Sequence, residues 1–209
     1  MKLLITFNLL DLERSLLVAQ VIEPHTDVLT IGSPLLYKYG IHAVERFRQQ
    51  FPKKTLFAEA RILDRPHDTV KLFSQAGANW ISVLSGAGQN TIHSASTSAA
   101  ESGTKIILDL ADSCSIGQDA LEAQRLGVEG ITFHKPTVDE EGLTFSDRWQ
   151  MVKGNTNLPV YISAHTSRQN ITEVLSFEPS GVIVGSSVIN AEDPEKEAIF
   201  FADLIKNKK

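Results

Sequence analysis

The stretch TLFAEARILD, residues 55–64, is an apolar run that takes on charge at Glu59, Arg61 and Asp64. Similar runs lie on both sides of it: LLITF (3–7), DVLTI (27–31), WISVL (80–84), KIILDL (105–110), GITFH (130–134), PVYIS (159–163) and GVIVG (181–185). With TLFAEA (55–60) they make eight short runs rich in Val, Ile, Leu and Thr, the signature of strands buried on both faces. Between them, apolar residues recur about one turn apart, as in Leu12, Leu16, Ala19 and Val21, in Val70, Phe73 and Ala76, and in Ala120, Ala123 and Leu126. Pro24, Gly77, Gly103 and Gly127 stand where those helices should stop.

Run starts recur about every 25 residues, the period of a βα unit, and eight such units close a barrel. A doubly wound open sheet has fewer strands and a glycine-rich first turn, whereas the turn here is NLLD (8–11). No linker, low-complexity tract or composition break divides the chain. The expected fold is a single-domain (β/α)₈ TIM barrel over residues 1–209.

Composition narrows the function classes. The chain is 42% hydrophobic and 22% charged, as in ordinary globular proteins, so disorder is expected only in the Lys-rich end, 206–209. A net charge of −5 argues against a general nucleic-acid binder. No apolar run is long enough for a transmembrane helix, so no membrane partner is expected. MKLLITFNLL (1–10) reads as a first strand, because charged Asp11, Glu13 and Arg14 follow in place of a cleavage site. The one cysteine, Cys114, excludes an internal disulfide and a Cys-based zinc site, and the expected location is the reducing cytoplasm.

Barrel active sites are built from the C-terminal ends of the strands. Residues ending the runs are therefore the candidates: Asn8, Thr30 with Ser33, Glu59 with Arg61 and Asp64, and 85–88. On the later strands they are Asp109 with Asp112, His134 with Lys135, Ser163 with His165, and Gly185 with Ser186 and Ser187. Glu59 and Arg61 are two apart and should point to one side of the strand. If that side is the interior, both charges enter the barrel mouth, either as an ion pair that seals it or as catalytic groups. Gly185-Ser186 reads as a close-approach turn opening a short helix, either a phosphate cradle or a plain capped turn. His134 and His165 share the same mouth. His25, His42, His67 and His93 fall in helices or loops and take no role.

TIGSPLLYKYG (30–40), LFAEARILD (56–64), AGANWISVL (76–84) and VIVGSSVINAEDP (182–194) together carry a family resemblance. The chain is similar, from first strand to last helix, to the 3-hexulose-6-phosphate synthase and 3-keto-L-gulonate-6-phosphate decarboxylase group of the orotidine-5′-monophosphate decarboxylase superfamily. The resemblance implies a lyase that condenses formaldehyde with ribulose 5-phosphate or decarboxylates a related keto-sugar phosphate, through an enediolate held by Mg²⁺. It implies a homodimer with shared active sites, the motif's last acid reaching the neighbouring subunit. It assigns Glu59, Arg61, Asp64 and His134 to catalysis, Glu59 also to the metal, and Asn8, Thr30, His165, Thr166, Gly185 and Ser186 to the substrate.

Several positions depart from the group. Its D-x-K-x-x-D motif is Glu59-Ala60-Arg61-Ile62-Leu63-Asp64 here, with the spacing kept and only the final Asp kept in type. Asn8 and Thr30 replace acids, and Ser163-Ala164-His165-Thr166 replaces a Gly-Gly turn, where the new side chains either take over phosphate contacts or obstruct them. Thr30 leaves Glu59 as the main local anionic ligand for Mg²⁺. Arg61 can hold an oxyanion with a fork of donors but cannot trade protons, because its pKa lies above about 12, so a general acid falls to His134 or His165. Two alternatives stand beside the lyase. One is metal-independent enolisation of another sugar phosphate, with Glu59 as base and Arg61 as stabiliser. The other is a non-catalytic sugar-phosphate-binding protein.

Overall fold

The computed structural model describes residues 1–135 and 143–206. Eight parallel strands close in sequence order into a barrel. They are β1 (Lys2–Phe7), β2 (Val28–Ile31), β3 (Thr55–Ile62), β4 (Trp80–Leu84), β5 (Lys105–Asp109), β6 (Gly130–His134), β7 (Val160–Ser163) and β8 (Gly181–Val184). β8 pairs back onto β1, with Leu4 beside Ile183, so no edge is left open. Each of the eight apolar runs became a strand, displaced by no more than two residues at either end. Among the described residues no helix is long and apolar enough to cross a membrane.

The outer layer consists of α1 (Leu12–Ile22), α2 (Ser33–Tyr39), α3 (Ile41–Gln50), α4 (Pro66–Gln75), α5 (Gln89–Glu101), α6 (Ile116–Ala123), α7 (Phe145–Lys153), α8 (Ile171–Ser176), α9 (Ser186–Ile189) and α10 (Pro194–Lys206). In α1 the stripe Leu12, Leu16 and Ala19 is buried and continues to Ile22, whereas Val21, expected on it, is exposed. A 3.6-residue period puts position 22, not 21, one turn beyond 19. Lys206 closes α10, so helix extends into the tail expected to be disordered; residues 207–209 lie outside the described residues. Gly77 and Gly127 follow α4 and the α6 segment with φ of 101° and 82°, the left-handed stop that glycine permits.

The core has two compartments. The larger lies between the strands' outer faces and the helices. The smaller is inside the barrel and comprises Leu4, Val28, Phe57, Trp80, Ile107, Tyr161 and Ile183. A side chain buried this fully contributes about 1.5–3 kcal/mol relative to exposure. Gly130 supplies β6's share of this layer: a Cβ there would lie 3.0 Å from Ile107 Cδ1 and 3.1 Å from Tyr161 Cε2. These residues fix which parity of each strand faces inward.

Candidate active site

Side chains alternate along a strand, so the residues two and four beyond the inner apolar layer also face inward. Two beyond it, the chain places hydroxyls: Thr6, Thr30, Ser82, Thr132 and Ser163. Thr6, Thr30, Ser82 and Thr132 are buried, and the hydroxyls of Thr6, Thr30 and Thr132 have no hydrogen-bond partner among the described residues. Buried polar groups are normally paired, so an unpaired tier of this kind marks the floor of a site that receives polar atoms. Around and above this floor stand Asn8, Glu59, Asp109, His134 and Gly185, at the C-terminal ends of their strands.

β3 reaches the mouth through an irregularity that simple alternation does not foresee. Ala58 pairs with Ile81, but Ile62 pairs with Val83, so four residues of β3 cover two of β4. Arg61 sits in this bulge with φ 49°, and its backbone N–H donates to Ser82 Oγ at 2.9 Å. Glu59 and Arg61 both come to the Asp109 side of the mouth, Arg61 through this bulge and not by regular two-residue alternation. Its guanidinium turns to Asp109.

Asp109 is the hub of the site. It ends β5, and its side chain is 3% exposed. Oδ2 accepts from Arg61 Nε at 3.0 Å, and Oδ1 accepts the Ala111 N–H at 2.9 Å. His134 Nε2 also lies 2.7 Å from Oδ1, though off the ring N–H direction. Burial opposes ionisation of Asp109, yet the contact and charge of His134, then Arg61, then the Ala111 N–H hold it below the ordinary carboxylate value. Burial and then the Asp109 charge push Glu59 the other way, up to about 7, against the charges of Arg61 and His134 and the Ser33 N–H. The two acids are thus driven apart, one ionised and one holding its proton near neutrality. Ser33 adds a second anchor, its Oγ donating to the Glu59 carbonyl at 2.8 Å.

On the opposite side of the mouth, between β1, β7 and β8, lies a cavity of about 200 Å³. Asn8, His165, Thr166, Gly185 and Ser186 all line it, and so do Thr6 and Ser163. Thr166 is 2% exposed and its hydroxyl has no partner among the described residues. Its carbonyl is fixed by Ser187 Oγ at 2.7 Å. Gly32 leaves room for Asn8, since a Cβ there would overlap Asn8 Oδ1. Of the larger grooves, those of about 370 and 380 Å³ lie on the α4–α5 flank and at the barrel's opposite end, while one of about 550 Å³ lies beside the loop after β5, between residues 111–116 and α7.

Of the residues singled out from sequence, the structure brings Glu59, Arg61 and His134 together around Asp109 and gathers Asn8, His165, Thr166, Gly185 and Ser186 across the mouth from them. Thr30 joins the hydroxyl floor. Asp64 does not enter this site: its side chain is 89% exposed, beside Arg65. Sequence reasoning left Asp109 without a role and missed Ser82, Thr6 and Thr132. Their signal was present as hydroxyls at inward parity within apolar runs.

The described donor set does not fit Mg²⁺. That ion wants near-octahedral oxygen ligands, normally including one or two free carboxylates. Both Asp109 oxygens already have protein partners, one of them a guanidinium. Thr30 is neutral, and no group of three or more His, Cys, Asp or Glu side chains among the described residues is arranged to hold a metal.

Fold and mouth together define a (β/α)₈ barrel with a polar strand-end site, acid–guanidinium–imidazole on one side and an uncharged hydroxyl-and-amide lining with one histidine on the other. The chain belongs to the orotidine 5′-phosphate decarboxylase / HUMPS family, whose model matches residues 1–199. It is 27% identical over 207 residues to 3-hexulose-6-phosphate synthase of Bacillus subtilis (strain 168), covering 98% of this chain and 99% of the relative. Among solved structures, 3-hexulose-6-phosphate synthase from Salmonella typhimurium superimposes with a TM-score of 0.91 at 24% identity over 100% of both chains. KGPDC from Streptococcus mutans, solved as a complex, gives 0.88 at 19% identity over 99% of this chain and 97% of that one.

Proposed function

We propose that this chain is a carbon–carbon lyase acting on a ketose phosphate, condensing formaldehyde with ribulose 5-phosphate through an enediolate. The observation that carries the reading is the Asp109 hub at the end of β5, which holds Arg61 of β3 at 3.0 Å and His134 of β6 at 2.7 Å. Enolisation needs a base that takes a carbon-bound proton and a cation for the oxygen that becomes negative. The names of the relatives support the substrate class. The cavity beside Thr166 and Gly185 receives the phosphate end, and the hydroxyl floor receives the sugar's oxygens.

In this reading His134 works through Nδ1, because its Nε2 is buried against Asp109. The C1–H bond of ribulose 5-phosphate breaks and its proton passes to His134. The electron pair forms C1=C2 and leaves the negative charge on the C2 oxygen. C1 then attacks the formaldehyde carbon, the C2 carbonyl re-forms, and the formaldehyde oxygen takes the proton back from His134. Asp109 keeps the imidazole oriented and stabilises its charged form, as a carboxylate partner does in other acid–base pairs.

We infer a homodimer with shared sites, in which the exposed Asp64 reaches the second subunit's mouth. The single cysteine, exposed Cys114, supports the reducing cytoplasm as the location. A steady-state assay of ribulose 5-phosphate with formaldehyde, run with and without Mg²⁺, tests the activity. Hexulose phosphate formation is expected; binding without turnover in both conditions would leave only a sugar-phosphate-binding protein. The raised Glu59 supports one second reading, enolisation of another sugar phosphate with Glu59 as base. No turnover of ribulose 5-phosphate, with C1 proton exchange on another ketose phosphate that is lost in Glu59→Gln but kept in His134→Ala, would favour it.

A further inference from the structure

We infer that Arg61 is the fixed cation of this site and that it binds the C2 oxygen of the ketose phosphate directly, with no divalent metal between them. The inference rests on the ketose-phosphate reading above and adds what neutralises the enediolate. Its first support is the tether. Arg61 Nε is engaged by Asp109 Oδ2 at 3.0 Å, while its two Nη groups make no hydrogen bond to any described residue. The side chain is 32% exposed, so the pair with Asp109 is not a fully sealed structural ion pair. A planar fork held at one nitrogen and free at two is suited to bind a pair of adjacent oxygens, such as the C1 and C2 oxygens of an enediolate.

The second support is the backbone. Arg61 takes φ 49° inside the β3 bulge, a conformation unusual for a residue with a Cβ, and Ser82 Oγ receives its N–H at 2.9 Å. The strand departs from regular pairing here, and the side chain leaves the bulge toward Asp109. The third support is the donor set. A divalent ion placed between Glu59 and Asp109 would stand close to the guanidinium and repel it. An ion on Asp109 would have to take the acceptor site that Arg61, His134 and the Ala111 N–H leave on Oδ2, directly beside the guanidinium. Thr30 Oγ1 is buried, neutral and without a partner among the described residues, so it offers a hydrogen bond to a substrate hydroxyl and no charge to a metal.

Two titrations on the full-length protein test this. Mn²⁺ followed by electron paramagnetic resonance reads metal occupancy without turnover; no stoichiometric loss of the free-ion signal is expected. Ribulose 5-phosphate followed by calorimetry in EDTA and in Mg²⁺ should give the same affinity. Arg61→Ala should weaken it about tenfold or more in EDTA, the loss of one charge-assisted contact of about 1.4 kcal/mol. Arg61→Lys, which keeps the charge without the fork, should fall between and guards against a folding defect in the alanine variant. One Mn²⁺ bound per subunit, or ribulose 5-phosphate binding that needs Mg²⁺, would overturn the inference while leaving the lyase reading intact. No binding in either condition would sink both. Unchanged affinity in Arg61→Ala would overturn the inference alone.

Discussion

Replacing Glu59 with Gln removes a carboxyl that the fold resists ionising, and stability measured against pH isolates that resistance. Burial and the Asp109 charge move its ionisation from 4.5 to about 7. Holding a carboxyl to that extent corresponds to about 3 kcal/mol in a dry site, and the solvent that still reaches the mouth brings the expectation to about 1–2 kcal/mol. Between pH 4.5 and 7 the folded protein keeps a proton that the unfolded chain has released. Stability owed to this group therefore falls as pH rises through that window and is level above it. The amide keeps the shape and never ionises. Urea denaturation of both proteins at pH 5 and pH 8, at one ionic strength, gives four free energies. The variant should gain about 1–2 kcal/mol on wild type between the two pH values. The six histidines are common to both proteins and cancel in the difference. An unchanged difference between pH 5 and pH 8 would refute the reasoning.

Other expectations follow from single contacts. Asp109→Asn leaves Arg61 and His134 without their shared carboxylate, so we expect turnover to fall about 100-fold or more and stability by about 2–3 kcal/mol, read by kinetics and urea melts. Gly32→Ala drives a methyl into Asn8 Oδ1 and should raise KM for ribulose 5-phosphate more than it lowers kcat. Thr166→Val removes a buried hydroxyl that has no described partner, so stability should hold or rise by up to about 1 kcal/mol while sugar-phosphate affinity drops in calorimetry. Asp64→Ala, at a fully exposed carboxylate, should leave the melting temperature unchanged. If sites are shared across a dimer, the same variant should still lose turnover, and sedimentation should show two subunits.

The barrel was legible because each strand is buried on both faces, which writes Val, Ile, Leu and Thr in short runs regardless of what the far end of the strand does. Boundaries at Trp80–Leu84 and Gly130–His134 coincide with those runs. The candidate site was legible in location, since charges and hydroxyls at run ends must surround the mouth. Its wiring was not. The β3 bulge depends on how four residues of one strand lie against two of the next, and nothing local to EARI encodes that register. Asp109 looked like one acid among several, and only barrel closure brings Arg61, 48 residues away in sequence, onto its carboxylate. Val21 shows the converse limit: an apolar residue close to the right spacing can still face solvent.

Proton exchange at C1 of ribulose 5-phosphate in D₂O, followed by nuclear magnetic resonance without formaldehyde, tests enediolate formation at this site most directly. The account predicts that the protein washes out one C1 proton, that EDTA leaves the rate unchanged, and that His134→Ala abolishes the exchange. Exchange no faster than in buffer, with ribulose 5-phosphate bound, would contradict it.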